Sequence, residues 1–133
     1  MLSGCASAPG EAVTVEEYRG ALEAICTATT AELEGLPTPP DQIAVSDFAS
    51  LAAEALTGEA PQVDRLDVPA DETLAGDHRA FVRNTLDQAA AWRAVASGAP
   101  EEIGASTDLV RGLVLGRNDL ATEMGAPACR RER

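Results

Sequence analysis

Apolar residues in this chain return at steps of three and four, and that spacing points to helices as its regular structure. From Val15 the series runs through Tyr18, Leu22, Ile25, Leu33 and Leu36, with Thr29 the one polar member. No segment of any length alternates with period two, so no sheet is expected. Thr14 and Glu17 form the Ser/Thr-x-x-Glu pattern that opens a first helix, and Gly35 and Pro37 close it. Thr38-Pro39-Pro40-Asp41 reads as a second start, with Thr38 as cap and proline in the first turn. Ala44, Phe48, Leu51 and Ala55 would carry its stripe, and Gly58 would end it. Residues 59–70, bracketed by Pro61 and Pro69, fit either an extra helical turn or a packed loop. A third helix is expected from Asp71 to Ser97 before Gly98, with Leu74, His78, Phe81, Thr85, Ala89 and Trp92 on one face. A fourth runs from Pro100-Glu101-Glu102 to Gly125-Ala126-Pro127, burying Ile103, Val110, Leu113, Leu120 and Met124. Four helices with short connections predict an all-α, four-helix up-down-up-down bundle over residues 13–129, with a flexible N-terminal tether before it and a tail over 130–133.

The 133 residues suffice for one domain with a real core. Aromatic residues make up only 3%, so that core must rest on Ala, Leu, Val and Ile. Charge divides unevenly. Residues 1–77 hold 15 acids and 2 Arg, whereas residues 78–133 hold 7 acids and 8 Arg, and there is no Lys anywhere. An acidic front half excludes nucleic-acid binding, which needs a basic stripe. It would also be repelled by anionic lipid headgroups. No apolar run approaches the length of a membrane-spanning helix.

Candidate chemistry is sparse. His78 is the sole histidine, which excludes sites with two or more His ligands, and no metal or other cofactor is implied. Its place on the stripe with Leu74 and Phe81 suits a helix-end or core-rim histidine. There is no Gly-x-Ser-x-Gly elbow and no Walker-type loop. Glu16-Glu17 and Glu101-Glu102 sit in first helical turns, where the helix dipole accounts for them. An enzyme is therefore not expected. Gly112-x-x-x-Gly116 would allow close helix approach inside the bundle. Trp92 and Phe81, with His78 nearby, are the candidates for lining a small apolar ligand pocket between helices.

The first residues, Leu2-Ser3-Gly4-Cys5, resemble the lipobox of bacterial lipoproteins, followed by the small-residue linker Ala6-Ser7-Ala8-Pro9-Gly10. In that family a peptidase cuts before the cysteine and its sulfur carries a diacylglycerol. The resemblance implies that residues 1–12 are the truncated end of a signal peptide with its lipobox and tether, that Cys5 is lipidated, and that the chain is extracytoplasmic and membrane-anchored by lipid. With Cys5 so used, Cys26 and Cys129 become a natural disulfide pair, which an oxidising compartment permits; two buried free thiols are the alternative. The bond asks much of the bundle. Cys26 lies about 18 Å into its helix, so the tail must fold back along helix one and the first and last helices must be staggered. The ending Gly125-Ala126-Pro127-Ala128-Cys129, with the lipobox and a first-helix cysteine, resembles small secreted actinobacterial proteins of unknown function, which bring no catalytic residues. Three functions follow as expectations. The first is binding or scaffolding of a cell-envelope protein partner. The others are carriage of a small apolar ligand between the helices, favoured by a preformed cavity at Trp92 and Phe81, and a cryptic enzyme around His78. Oligomeric state is left open.

Overall fold

The computed structural model describes residues 13–132. Its helices are α1 (Val15–Glu34), α2 (Val45–Asp64), α3 (Glu72–Ser97) and α4 (Pro100–Met124), followed by a single 3-10 turn, Pro127–Cys129. Among the described residues there is no strand, and the fold is the all-α bundle expected. Side-chain pairs give the directions. Tyr18 at the start of α1 meets His78 near the start of α3, and Phe48 at the start of α2 meets Trp92 near the end of α3. Arg19 in α1 bonds the carbonyl of Met124 at the end of α4. Helices α1 and α3 therefore run one way, and α2 and α4 the other.

Local capping accounts for most helix ends. Thr14 Oγ1 accepts from Glu17 N at 3.0 Å while Thr14 N donates to Glu17 Oε1 at 2.9 Å, a complete capping box. Asp71 caps α3 by accepting from Leu74 N at 3.0 Å. At the end of α4, Gly125 takes φ +70°, Ala126 N bonds Ala121 O, and Gly125 N bonds Thr122 O, which is a Schellman ending. The positive φ is what calls for glycine there; a Cβ at Gly125 would also lie 2.7 Å from the Arg19 guanidinium, the movable end of that side chain.

Helix α2 departs from expectation at both ends. Residues 38–42 form an isolated turn closed by Gln42 N to Thr38 O, and the helix begins only at Val45. Thr38 and Pro39 each precede a proline, and that position disfavours helical backbone. At the other end α2 runs through Gly58 and Pro61 to Asp64, so residues 59–64 continue the helix, while 65–70 form a loop that packs Leu66 and Val68 on the core. The buried apolar face of α2 is Ala49, Ala52, Ala53, Ala55, Leu56, Ala60 and Val63; of the stripe read in the sequence, Ala55 is buried, Phe48 and Leu51 are half-buried and Ala44 is exposed. Gly112-x-x-x-Gly116 is not a close-approach site: a Cβ at Gly112 would meet nothing within 4 Å, and one at Gly116 only the Asn84 amide at 3.5 Å.

Cys26 and Cys129 are joined, with S–S 2.02 Å and Cα–Cα 5.0 Å. The Arg19–Met124 bond shows how the chain reaches. Helix α4 ends level with the second turn of α1, leaving only seven residues of α1, about 10 Å, to Cys26. The reversal at Gly125 and the 3-10 turn cover that distance, and Ala128 N is held by Glu23 Oε2 at 2.8 Å. The turn packs on both α1 and α4 and fills the space between them. The main apolar cluster lies at this end, around Tyr18, Leu22, Cys26, Phe81, Met124 and Cys129. Towards the other end a smaller cluster has only Ala91, Val110 and Val114 buried, flanked by Trp92 and Leu113. Packing does not stop at Cys129: Arg131 is also buried.

Candidate functional site

Three charged side chains meet inside the bundle where the two clusters adjoin. The face of α4 that buries Val110, Val114, Ala121 and Met124 also carries Arg117, and the buried face of α2 carries Glu59; both side chains are 0% exposed. Arg117 Nη1 donates to Glu59 Oε1 at 2.8 Å and to Thr85 Oγ1 at 3.2 Å. Its Nη2 donates to Glu59 Oε2 at 3.3 Å and lies 3.5 Å from Cys26 Sγ, and its Nε donates to the carbonyl of Cys129 at 2.9 Å. The guanidinium carbon stands 4.4 Å from the centre of the Phe81 ring, within cation–π range. Arg131 reaches the same carboxylate from the C-terminal segment, with Nη2 donating to Glu59 Oε2 at 2.6 Å and Nε to Thr30 Oγ1 at 3.0 Å. Asn118 fixes the Arg131 backbone by accepting its N–H at 2.7 Å and donating to its carbonyl at 2.6 Å.

Burial pushes the Glu59 carboxyl up, but the two guanidiniums and their hydrogen bonds outweigh that and hold it below its ordinary value. Burial lowers Arg117 to about 10 even though Glu59 opposes the shift. Glu59 and Arg117 are thus both charged near neutrality, and Arg131 brings a second guanidinium to the same carboxylate. Two cations against one anion leave this enclosed cluster with an excess charge of +1. Among the described residues, Arg131 Nη1 is buried and has no hydrogen-bond partner.

Arg131 also lines a solvent-open cleft of about 1100 Å³. Its walls come from α1 (Leu33), α2 (Phe48, Leu56), α3 (Trp92) and α4 (Val110, Leu115). Thr30, Gln88 and Asn118 add polar edges, and Arg111, Arg130, Glu34 and Glu132 stand around it. The cleft exists because α1 packs on α2 and on the C-terminal turn, while α4 packs on α3 and on that turn. Beyond the reach of the turn, α1 and α4 stand apart. Phe48 meets Trp92 edge to face, ring centres 5.6 Å apart, and both are half-buried in this opening.

The candidates read from the sequence are not brought together. Trp92 lines the cleft. Phe81 lies in the closed core under Arg117. His78 is paired with Tyr18, whose hydroxyl is 2.7 Å from His78 Nδ1. Burial, with Asp77 adding to it, raises Tyr18 to about 12, so the phenol keeps its proton. Burial and, to a lesser degree, Arg79 lower His78 against the pull of Asp64, so the ring is neutral, and the tautomer sets which partner donates in its bond with the phenol. That pair is a satisfied core contact. Cys5 lies outside the described residues. No group of three or more His, Cys, Asp and Glu side chains able to hold a metal occurs among the described residues. Among the described residues no helix is long and apolar enough to cross a membrane. Sequence reading missed Glu59, Arg117 and Arg131. A signal was present, because Arg117 falls at the three- and four-residue spacing between Val114 and Ala121, where an apolar residue is expected. Compared with known proteins, the chain matches no family model, no curated protein and no solved structure.

Proposed function

We propose that the chain is the extracytoplasmic domain of a lipid-anchored lipoprotein, and that it binds a small apolar molecule in the cleft rather than catalysing a reaction. The cleft carries this reading. It is a preformed opening at Trp92 with apolar walls at Leu33, Phe48, Leu56 and Val110 and a polar rim, the feature that separates ligand carriage from scaffolding. Docking of an envelope protein has less support. The exposed large apolar side chains among the described residues are Val45, Leu86, Leu109 and Leu115, spread over three helices, and of these only Leu115 borders the cleft. For location, the support is a Cys26–Cys129 disulfide that leaves Cys5 unpaired beside Leu2-Ser3-Gly4.

Trp92 is the only tryptophan, so its emission reports on the cleft without a label. Titration with dodecanol below its micellar range should give a saturable change in emission, weakened by Phe48→Ala. A flat titration would remove the carrier reading. The anchor is tested separately. With the lipobox expressed behind a functional signal peptide, the protein should partition into detergent and Cys5→Ser should release it. Detergent partitioning unchanged by Cys5→Ser would rule out lipid on that sulfur.

A further inference from the structure

The two sulfurs of the Cys26–Cys129 bond lie in surroundings of opposite sign. Cys26 Sγ stands 3.5 Å from Arg117 Nη2, a donor inside the cluster that carries the excess positive charge. Cys129 Sγ stands 3.8 Å from the carbonyl oxygen of Leu22, an acceptor. A thiolate is favoured beside the guanidinium, whereas the carbonyl repels a thiolate and accepts from an S–H. The other charged groups keep this order. Glu59, from α2, opposes a charge on Cys26 but is already matched by Arg117, and Arg131 from the C-terminal segment adds the second guanidinium. Glu23, from α1, holds Ala128 N at 2.8 Å, which places a carboxylate beside Cys129, and Arg19 is turned to the Met124 carbonyl. Helix α3 contributes Thr85 and Phe81 to the cluster, neither of them charged, and its His78 is turned to Tyr18. Position divides the sulfurs too. Cys26 lies in the middle of α1, whereas Cys129 is on the terminal 3-10 turn between exposed Ala128 and Arg130. Both are enclosed, so exchange at this bond needs the turn to lift, a local opening of a chain end.

We infer that the Cys26–Cys129 bond is a directed exchange site for a dithiol, in which Cys129 is the sulfur attacked and Cys26 the sulfur that leaves, as a thiolate held by Arg117. One thiolate of the dithiol bonds to Cys129 Sγ, the S–S bond breaks, and its electron pair goes to Cys26. The second thiol of the dithiol then loses its proton and attacks its partner sulfur, and Cys129 departs and is protonated. The dithiol ends as a disulfide. The protein gains two electrons and one proton, and one proton passes to water. The thiol with the lower pKa is the faster leaving group, so the guanidinium sets the direction. The Cys26 thiolate also cancels the excess charge of the cluster. Reduction frees the C-terminal turn from α1, so a dithiol unlatches the closed end of the bundle.

The experiment uses the folded Cys5→Ser protein, so that no third thiol takes part. In the first arm it is exposed briefly to 2-mercaptoethanol, quenched with iodoacetamide and mapped by mass spectrometry. Singly opened chains should carry mercaptoethanol on Cys129 and the alkyl group on Cys26, about tenfold or more in excess of the reverse. An even split, or an excess of the reverse, would overturn the inference. The second arm separates the pull of Arg117 from simple access to the turn. Equilibrium with dithiothreitol is measured between about pH 7 and pH 8. One proton released per bond reduced raises the equilibrium constant about tenfold over that unit, whereas two ordinary thiols of pKa about 8.5 leave it nearly flat. A flat equilibrium with the adduct on Cys129 would mean that access alone directs the exchange, and would overturn the part given to Arg117. Arg117→Gln should flatten the dependence. If that variant does not fold, the two arms on the parent protein decide.

Discussion

The two halves of this bundle are built from the same four helices and differ in what lies between α1 and α4. At the end where α1 begins, the C-terminal turn is inserted between them and bonded to Cys26, and Tyr18, Leu22, Phe81 and Met124 are almost wholly removed from water. At the end where α1 finishes, nothing is inserted, and Phe48 and Trp92 remain half-buried beside an open cleft. A chain with 3% aromatic residues has few large side chains to fill a four-helix interior. Two of the four aromatic residues, Tyr18 and Phe81, are spent on the closed half. The open half receives Phe48 and Trp92 against small neighbours such as Ala52 and Val114. The closed half thus fixes the helices, and the open half can stay incompletely packed. That division of labour suits a binding protein, since apolar surface left near water is what a ligand can cover.

The strongest test of the comparison is the disulfide. Cys26→Ala with Cys129→Ala removes a cross-link spanning 103 residues. The chain-entropy treatment gives about 4.7 kcal/mol for a loop near that length. Small domains have only about 5–15 kcal/mol in total, so denaturant unfolding of the double variant should begin close to native conditions. In hydrogen exchange the loss should fall first on the C-terminal turn and the first half of α1, which the turn covers. A midpoint shift worth under about 1 kcal/mol would mean that packing, and not the cross-link, closes this half.

The bounds of α1, α3 and α4 were legible because their signals are local. Thr14 with Glu17, Asp71, Gly98, Pro100 and Gly125 each act within one turn of the helix end they mark. Helix α2 was misread at both ends: its late start follows from the two positions that precede prolines, Thr38 and Pro39, and its end is decided by the tertiary structure. Glycine inside a helix costs only about 1 kcal/mol, less than burying Ala60 and Val63 on the far side of Gly58 returns. The same error hid the ionic cluster, since a helix ending at Gly58 leaves Glu59 in a connecting segment with no reason to face Arg117. The disulfide followed from cysteine parity together with the lipobox resemblance. The cleft carries no sequence signal of its own. It comes from two helices that fail to meet, and a pattern of apolar spacing shows only that each helix has a face to bury.

A smaller effect is expected where the two halves join. Glu59 holds Arg117 of the closed half and Arg131 of the cleft wall together, so Glu59→Gln asks whether they are coupled. Glutamine keeps the shape and one acceptor but leaves two buried guanidiniums without a counter-charge. Removing one member of a buried ion pair typically costs about 3–5 kcal/mol, and the retained amide places this variant near 3 kcal/mol. The carboxylate also sets an acid limit. Its folded pKa lies below the ordinary 4.5, so the unfolded chain takes up the proton first as pH falls. Its stabilisation is complete above about 4.5 and declines as pH drops from there through the folded value. Wild type should therefore lose stability in that window more steeply than Glu59→Gln, with urea midpoints at a series of pH values as the measurement. If the halves are coupled, Glu59→Gln will also change the dodecanol titration at neutral pH, because Arg131 loses its anchor in the cleft wall. Destabilisation with dodecanol binding unaltered would show that the open half keeps its shape independently of the closed one.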